Sequence, residues 1–187
     1  VRAGLDDYDA VRATRAIENF AIEELSNWYI RRNRRRFWKT EADRDKAAAY
    51  QTLYEALVTL TKLMAPFTPF MTEEMYQNLV VSVDPSAPRS VHLTDFPVVD
   101  ESKVDAALDR DMAALLRVTN LGRAARNKAS VKVRQPLATL YVWARDEQVR
   151  QGVETLQDQL LDELNVKSLA WIDDPAEYAE YRIKPNF

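Results

Sequence analysis

The amino-acid sequence predicts a mainly α-helical protein, with an antiparallel bundle of four to five helices over residues 1–129 and a small α/β appendage over residues 130–187. Two observations carry this prediction. Through the first part, apolar side chains recur every three or four residues and the connections are short, which favours antiparallel neighbouring helices. After Lys128 the spacing changes to alternation, which is the pattern of a half-buried strand.

The first predicted helix covers residues 9–38 and has about eight turns. Its apolar stripe consists of residues three or four positions apart, namely Ile17, Ala21, Leu25 and Trp28. A stripe of this kind indicates a helix that buries one face against its neighbours.

Local signals predict where the next two helices begin and end. The segment from Thr40 to Asp43 has the shape of a capping box and opens the second helix, which Pro66 ends. Thr68 is placed to cap a third helix, with Pro69 at its first position.

The rest of the chain predicts a loop, a long helix and a strand–helix–strand unit. Residues 82–100 are proline-rich and predict an irregular loop, with an extended piece at 91–96. A fourth helix runs from about Glu101, capped by Asp100, to about Asn127. The spacing of apolar residues then predicts a strand, a helix, a second strand and a possible third strand, at residues 137–143, 149–160, 166–172 and 181–183.

The composition excludes several kinds of active site. Without cysteine the chain has no disulfide, thiolate metal site or cysteine nucleophile, and its three isolated glycines form neither a P-loop nor a dinucleotide-binding turn. The single histidine, His92, is interpreted as structural. Glu73 and Glu74, which are neighbours in the sequence, are interpreted as carboxylates favoured in a first helical turn. We therefore predict no catalytic residue, no metal site and no cofactor in this chain.

Apolar runs in the sequence are short, and its beginning is acidic. No run approaches the roughly 18 residues of a membrane span, and the acidic start is unlike the basic start of a signal peptide. A cytoplasmic location is therefore predicted.

The net charge of -3 conceals a strong segregation of charge along the chain. Residues 25–40 contain six basic and no acidic side chains, and residues 112–145 contain seven basic and no acidic ones. The rest of the chain holds 13 basic and all 29 acidic residues. Because a local positive field attracts a polyanion whatever the total charge, both windows are candidate binding surfaces.

On a helical wheel, the cations of the first window continue the buried face of the first helix. Arg32, Arg35 and Lys39 lie on the side of Trp28, which argues against a simple solvated face. Either they pair with carboxylates of an adjoining domain, or the helix end protrudes and offers guanidinium groups to phosphates. Trp28 and Trp38 are expected to pack in the core rather than to stack on bases.

The second window combines a helix end with a loop. Cations at the end of the fourth helix are interpreted in part as complementing the carbonyls of its last turn. In the loop before Pro136, donor-rich side chains can reach a nucleic-acid backbone or another domain. The residues of the helix end are Arg117, Arg123, Arg126 and Lys128, and those of the loop are Lys132, Arg134 and Gln135.

One stretch carries a family resemblance. Residues 25–38, a tract of arginines that ends in Phe37 and Trp38, resemble the signature of the anticodon-binding domain of isoleucyl-tRNA synthetases, which are class Ia aminoacyl-tRNA synthetases. Further stretches that are similar to this family lie at residues 64–74, 90–97, 131–137, 162–167 and 184–187. The last two resemble the junction that follows the helical bundle in that family.

The resemblance implies a tRNA-binding piece of a larger enzyme. The parent would join isoleucine to its tRNA with ATP and magnesium, whereas this chain has no match to the two nucleotide-binding signatures or to an editing domain and is expected to be inactive alone. Its expected partners are isoleucine tRNA and the catalytic domain of the same polypeptide, in a monomer. The expected tRNA-binding residues are Arg31, Arg32, Arg35, Arg36, Trp38, Lys39, Lys128, Lys132, Arg134 and Gln135.

Two alternatives remain open at the level of sequence. The helices are also compatible with a protein-interaction module that docks on an acidic partner, or with the anticodon-binding domain of a valine or leucine synthetase. A single docking surface needs only one basic window, whereas an extended polyanion can use both.

Overall fold

The computed structural model describes residues 1–40 and 43–178, which form two compact units, the first ending at Val99 and the second beginning at Asp100. Helices make up most of the regular structure, and the second unit contains a sheet of two parallel strands. This confirms the predicted fold class. The predicted functional boundary between residues 129 and 130 stays a prediction.

The first unit opens with two short helices, α1 (Arg2–Asp6) and α2 (Ala10–Asn19). The carboxylate of Asp9 begins α2 by accepting a hydrogen bond from the backbone N–H of Arg12 at 2.9 Å.

The helix that α2 begins continues and then breaks. It runs on in wider, π-type turns over Phe20–Ile30, is interrupted at Asn33, and is followed by α3 (Arg34–Trp38). The Asn33 side-chain amide donates to the carbonyl of Tyr29 at 2.8 Å, a local bond that competes with regular helix. The helix predicted over residues 9–38 is present, but with a change of pitch and a break.

Three further helical segments follow in the first unit, and the residue that caps the first of them differs from the prediction. Asp43 caps the first of them by accepting from the backbone N–H of Lys46 at 2.7 Å, where Thr40 was expected. Thr68 stands at the cap position of the second, but its hydroxyl donates to the Met64 carbonyl. The segments are α4 (Arg44–Met64), α5 (Pro69–Tyr76) and a π-type continuation of α5 over Gln77–Val81.

Among the described residues of the first unit, apolar side chains form two small cores. Burying a valine, leucine or isoleucine side chain contributes about 1.5–3 kcal/mol. One core consists of Ile17, Leu25 and Leu60, and the other of Ala65, Tyr76 and Val91.

Glu73 fastens the irregular loop of the first unit. Its carboxylate accepts hydrogen bonds from the Ser90 hydroxyl at 2.7 Å, the Val91 N–H at 3.0 Å and the Gln77 amide at 2.8 Å. The interpretation of Glu73 as a first-turn carboxylate was therefore wrong, because it lies beyond the first turn of α5. The loop forms a 3-10 turn over Val91–Leu93, where an extended piece was predicted.

The second unit begins with a 3-10 turn over Glu101–Lys103, which Asp100 caps. The long helix α6 (Ala106–Lys128) follows, and Asp105 caps it by accepting from two backbone N–H groups at 3.0 Å. The predicted fourth helix is therefore present but begins five residues later than expected.

The strand–helix–strand prediction is confirmed, with its helix divided in two at Leu156. The strands pair in parallel, with Leu137 opposite Val166. The elements are β1 (Leu137–Val142), α7 (Glu147–Thr155), α8 (Gln157–Leu164) and β2 (Val166–Trp171). The predicted strand at residues 181–183 lies outside the described residues.

The core of the second unit forms where α7 and α8 pack on α6. The larger apolar side chains that are almost completely buried there are Leu115, Val153, Leu160 and Leu164. Gly122 allows close approach, because a Cβ atom at this position would clash with Cδ1 of Leu164. Among the described residues, no helix is long and apolar enough to cross a membrane.

Candidate nucleic-acid interface

The first basic cluster is the set of cations on both sides of the break at Asn33. The helix changes pitch before these residues and breaks among them. The structure sorts them into three groups with different surroundings. The cluster consists of Arg31, Arg32, Arg34, Arg35, Arg36 and Lys39.

Two members of the first basic cluster pair with carboxylates at the start of α4. A guanidinium nitrogen of Arg36 lies 2.8 Å from the Asp45 carboxylate, and Nζ of Lys39 lies 3.3 Å from Asp43 and from Asp45. The hydrogen bonds to Asp43 and Asp45 raise the pKa of Lys39, and the bond from Arg36 lowers the pKa of Asp45. The carboxylates that take up these cations therefore come from this chain.

Two further members contact the helix that precedes the break. The guanidinium of Arg32 lies over the ring of Trp28, 5.1 Å from its centroid, and Nε of Arg31 donates to the Asn27 carbonyl at 2.8 Å. Both side chains are half-buried. A cation over an indole ring is attracted to the face of the ring while its carbon atoms pack against neighbouring side chains.

Arg34 and Arg35 form the third group. Both side chains are exposed, and within the part of the chain that the structure describes neither has an ion pair or a side-chain hydrogen bond. Two adjacent guanidinium groups without a carboxylate partner offer ten N–H donors in planar forks, which suit phosphate oxygens.

The neighbouring aromatic residues divide between core and surface. Phe37 is 8% exposed and packs edge-to-face against Tyr29 and Tyr50, with ring centroids 6.2 and 5.1 Å apart. Within the part of the chain that the structure describes, Trp38 is 80% exposed. The expectation that it packs in the core was therefore wrong. Consecutive helical residues point about 100° apart, and Phe37 is the one that faces the core.

The second basic cluster is the set of polar side chains at the end of α6 and in the loop that follows it, and two of its arginines are structural. It consists of Arg123, Arg126, Lys128, Lys132, Arg134 and Gln135. Arg126 is only 5% exposed and donates to the backbone carbonyls of Lys132, Leu164 and Asn165 at 3.1, 2.7 and 3.2 Å. Arg123 makes an ion pair with the buried Glu163. Both therefore bind groups outside their own helix. Arg126 and Lys128 lie in the last turn of α6, where the sequence placed part of these cations.

The exposed members of the second basic cluster lie at the end of α6 and in the loop that follows. Their side chains have no ion pair with any carboxylate among the described residues. They are Lys128, Lys132, Arg134 and Gln135. Lys128, Lys132 and Arg134 are cations without a carboxylate partner among the described residues, and clustered cations of this kind are the electrostatic footprint expected of a nucleic-acid-binding protein.

Arg117 and Arg145 flank a groove elsewhere on the second unit. The groove has a volume of about 620 Å³ and an apolar lining that includes Leu121 and Trp143. The guanidinium of Arg145 lies over the Trp143 ring at 5.2 Å. These two arginines were part of the basic window but were not expected among the tRNA-binding residues.

Carboxylates and His92 do not assemble a metal centre in the part of the chain that the structure describes. No group of three or more histidine, cysteine, aspartate or glutamate side chains there is arranged to hold a metal ion. His92 itself is exposed and lies in the 3-10 turn of the loop.

Comparison with known proteins identifies the family. Residues 1–142 match the anticodon-binding domain of tRNA ligases. The chain belongs to this family. It is 55% identical over 94% of its length to an isoleucine-tRNA ligase of Dehalococcoides mccartyi, and 48% identical over its full length to one of Thermus thermophilus. An isoleucine-tRNA ligase 2 of Bacillus cereus is 46% identical, also over the full length.

The similarity covers only part of each relative. The anticodon-binding chain spans 17–18% of the length of these ligases. What it shares with them over nearly all of its own residues is therefore a single region of a longer protein.

Sequence reasoning missed Asn165 and Glu163 as partners of the second basic cluster. Asn165 follows α8 with a left-handed backbone, φ 49° and ψ 56°, and its carbonyl accepts from Arg126. An asparagine directly after a helical stripe is a recognised signal for such a cap and could have been read from the sequence. Glu163 carries no such signal, because its partner Arg123 is 40 positions away.

Proposed function

We propose that this chain is the tRNA-binding, anticodon-binding part of an isoleucine-tRNA ligase, a cytoplasmic and monomeric enzyme that attaches isoleucine to its tRNA with ATP and magnesium. The observation that carries the proposal is the identity of 46–55% to isoleucine-tRNA ligases over nearly the whole chain. Its partners are then isoleucine tRNA and the catalytic domain of the same polypeptide.

In the first unit, the exposed arginines are the primary contacts. Arg34 and Arg35 bind backbone phosphates through their planar forks, and Trp38 offers an exposed ring on which an unpaired base stacks. Arg36 and Lys39 pair with carboxylates at the start of α4. These ion pairs hold the backbone of α3 in place, and the two cations add to the local positive field. Arg31 and Arg32 extend the same positive strip toward Trp28.

In the second unit, the exposed side chains after α6 supply further phosphate contacts. Lys128, Lys132 and Arg134 provide positive charge, and Gln135 adds a neutral donor and acceptor. Contacts of this kind set affinity and its salt dependence, whereas contacts with unpaired loop bases set specificity.

The chemistry with ATP and magnesium is assigned to the catalytic domain of the parent. The described residues form no three-ligand metal group, and the isolated glycines form no phosphate-binding turn, so they do not fit a site for this pair. The contribution of this chain is to bind and orient the tRNA.

The test is the binding of tRNA to the full-length parent protein. Fluorescence anisotropy with isoleucine tRNA and with valine tRNA, at two salt concentrations, gives the affinity, its salt slope and its specificity. The R34E/R35E variant is expected to lose binding by at least about a hundredfold at low salt, since each charged hydrogen bond contributes about 1.5–3 kcal/mol. Arg15→Glu is the matched control, because Arg15 is exposed on α2, outside the first basic cluster.

Three results would contradict the proposal. Absence of binding at low salt would remove the tRNA-binding function. Equal losses in R34E/R35E and R15E would remove the role of the first basic cluster. Tighter binding of valine tRNA would assign the chain to a related synthetase.

A further inference from the structure

The loop between α6 and β1 presents charge at a fixed position. This loop, residues 129–136, carries Lys132 and Arg134, both exposed and without a carboxylate partner among the described residues. A free loop would lose about 1–2 kcal/mol of backbone entropy for each residue that becomes ordered on a ligand. Whether the loop is already ordered therefore decides how well its two cations bind.

Arg126 fixes the middle of this loop from below. One guanidinium nitrogen, Nη1, donates to the Lys132 carbonyl, and the other, Nη2, donates to the carbonyls of Leu164 and Asn165 at the end of α8. The side chain is almost completely buried, so water does not compete for these bonds. The guanidinium group thus connects the loop to the chain segment between α8 and β2.

Asn165 fixes the next peptide group of the same loop. Its side-chain amide donates to the Val133 carbonyl at 3.0 Å, and its own backbone carbonyl accepts from the Leu137 N–H at 3.1 Å. Two consecutive loop carbonyls, at positions 132 and 133, are therefore each held by a side chain from a different element. A further backbone bond from Gln135 to the Lys132 carbonyl, at 2.9 Å, closes the turn before Pro136.

We propose that Arg126 and Asn165 are positioning residues for RNA binding: by turning two loop carbonyls inward, they hold Lys132 and Arg134 in place for the phosphates of an RNA strand. This inference rests on the proposed function. The cations then bind a backbone without first ordering the loop, which is the energetic advantage of preorganisation.

The inference distinguishes a positioning role from a purely structural one through non-additivity. If Asn165 acts only through the loop cations, its replacement has no effect once those cations are absent. Asn165→Gly is the informative variant, because glycine keeps the left-handed backbone without strain and removes only the amide donor. Arg126→Lys is the second variant, since a lysine keeps the charge but cannot span three carbonyls in the same geometry.

The experiment measures the affinity of the full-length parent for isoleucine tRNA at salt concentrations from about 50 to 200 mM, over which affinity falls steeply when phosphate contacts are made. The proteins are the wild type, N165G, R126K, K132Q/R134Q, and N165G combined with K132Q/R134Q. Thermal melting of each protein gives the folded fraction at the assay temperature.

We expect N165G to weaken binding about three- to tenfold, the range of one net hydrogen bond, and to lower the salt slope by about one phosphate contact. R126K should behave in the same way. Adding N165G to K132Q/R134Q should cause no further loss. For N165G and R126K, the fold-loss of affinity relative to the wild type should stay the same after correction for the folded fraction of each protein.

Each contrary outcome identifies what fails. If N165G binds with the affinity and salt slope of the wild type, the positioning role is overturned. The same holds if N165G causes its full loss of affinity even when it is combined with K132Q/R134Q. If K132Q/R134Q binds like the wild type, the loop cations make no contact and the inference fails, while the first basic cluster is unaffected. If the wild type does not bind the tRNA, it is the proposed function itself that fails.

Discussion

Replacing Glu73 with alanine tests how the first unit holds its irregular loop. Two of the three hydrogen bonds to this carboxylate come from Ser90 and Val91 in the loop, and the third comes from Gln77 four residues along the same helix. A hydrogen bond to a charged group contributes about 1.5–3 kcal/mol when it is shielded, and Glu73 is only half-buried. We therefore take a value near 1 kcal/mol for each of the two loop bonds and expect E73A to lower the free energy of unfolding by about 2 kcal/mol.

The adjacent Glu74 provides a matched control. Its carboxylate accepts from the Asn78 amide at 3.0 Å, a bond within one helix face, and the side chain is exposed. Pairs of this kind contribute about 0.2–0.5 kcal/mol. Urea unfolding of the wild type, E73A and E74A, followed by circular dichroism, should thus separate two residues that are neighbours in sequence.

The effect of Glu73 should also depend on pH. The Ser90 hydroxyl, followed by the Gln77 amide and the Val91 N–H, lowers the pKa of Glu73 below its ordinary value of 4.5. A carboxyl whose pKa is lowered by folding stabilises the protein above its ordinary pKa, and this contribution disappears as the pH falls through the lower, folded value. The difference between wild type and E73A should be complete at neutral pH and shrink in acid. A difference that stays constant in acid, or an E74A variant as unstable as E73A, would refute the reasoning.

Three further predictions concern packing and capping. Phe37→Ala should cost about 3–5 kcal/mol of unfolding free energy whereas Trp38→Ala should leave the melting temperature nearly unchanged, and equal shifts in thermal melting would contradict the assignment of core and surface. Leu160→Ala should cost about 2–5 kcal/mol, because this side chain is completely buried; denaturant unfolding checks this, and a cost below 1 kcal/mol would count against it. Asp105→Ala should cost about 1 kcal/mol and increase hydrogen exchange in the first turn of α6, and unchanged exchange there would show that another group caps the helix.

Much of the fold could be predicted from the sequence because apolar spacing is a direct record of secondary structure. The alternation near Leu137 and the helical stripe that contains Leu160 indicated their elements correctly, and the parallel pairing of β1 and β2 agrees with a strand–helix–strand order. Caps were less predictable. Asp43 and Asp105, rather than Thr40 and Asp100, begin the long helices, and several polar residues before each helix could serve equally well.

The candidate site was predicted as two basic windows, but the environment of each cation within them was not predictable. The helical wheel assumes a constant turn of 100° per residue, and the π-type turns over Phe20–Ile30 and the break at Asn33 invalidate that assumption for Arg35. The burial of Arg126 depends on carbonyls 38 and 39 positions away, at Leu164 and Asn165. Contacts across such separations leave no periodic trace in a sequence.

The absence of a side chain at Gly122 also limits how the protein can be engineered. Much of α6 is exposed and should accept substitutions that improve solubility or add a label. At position 122, however, even a methyl group would meet the tip of Leu164, whose backbone carbonyl receives a hydrogen bond from Arg126. A label or surface mutation placed there would displace Leu164 and thereby disturb the loop that carries Lys132. It is better placed on the exposed side of the helix, for example at Leu121.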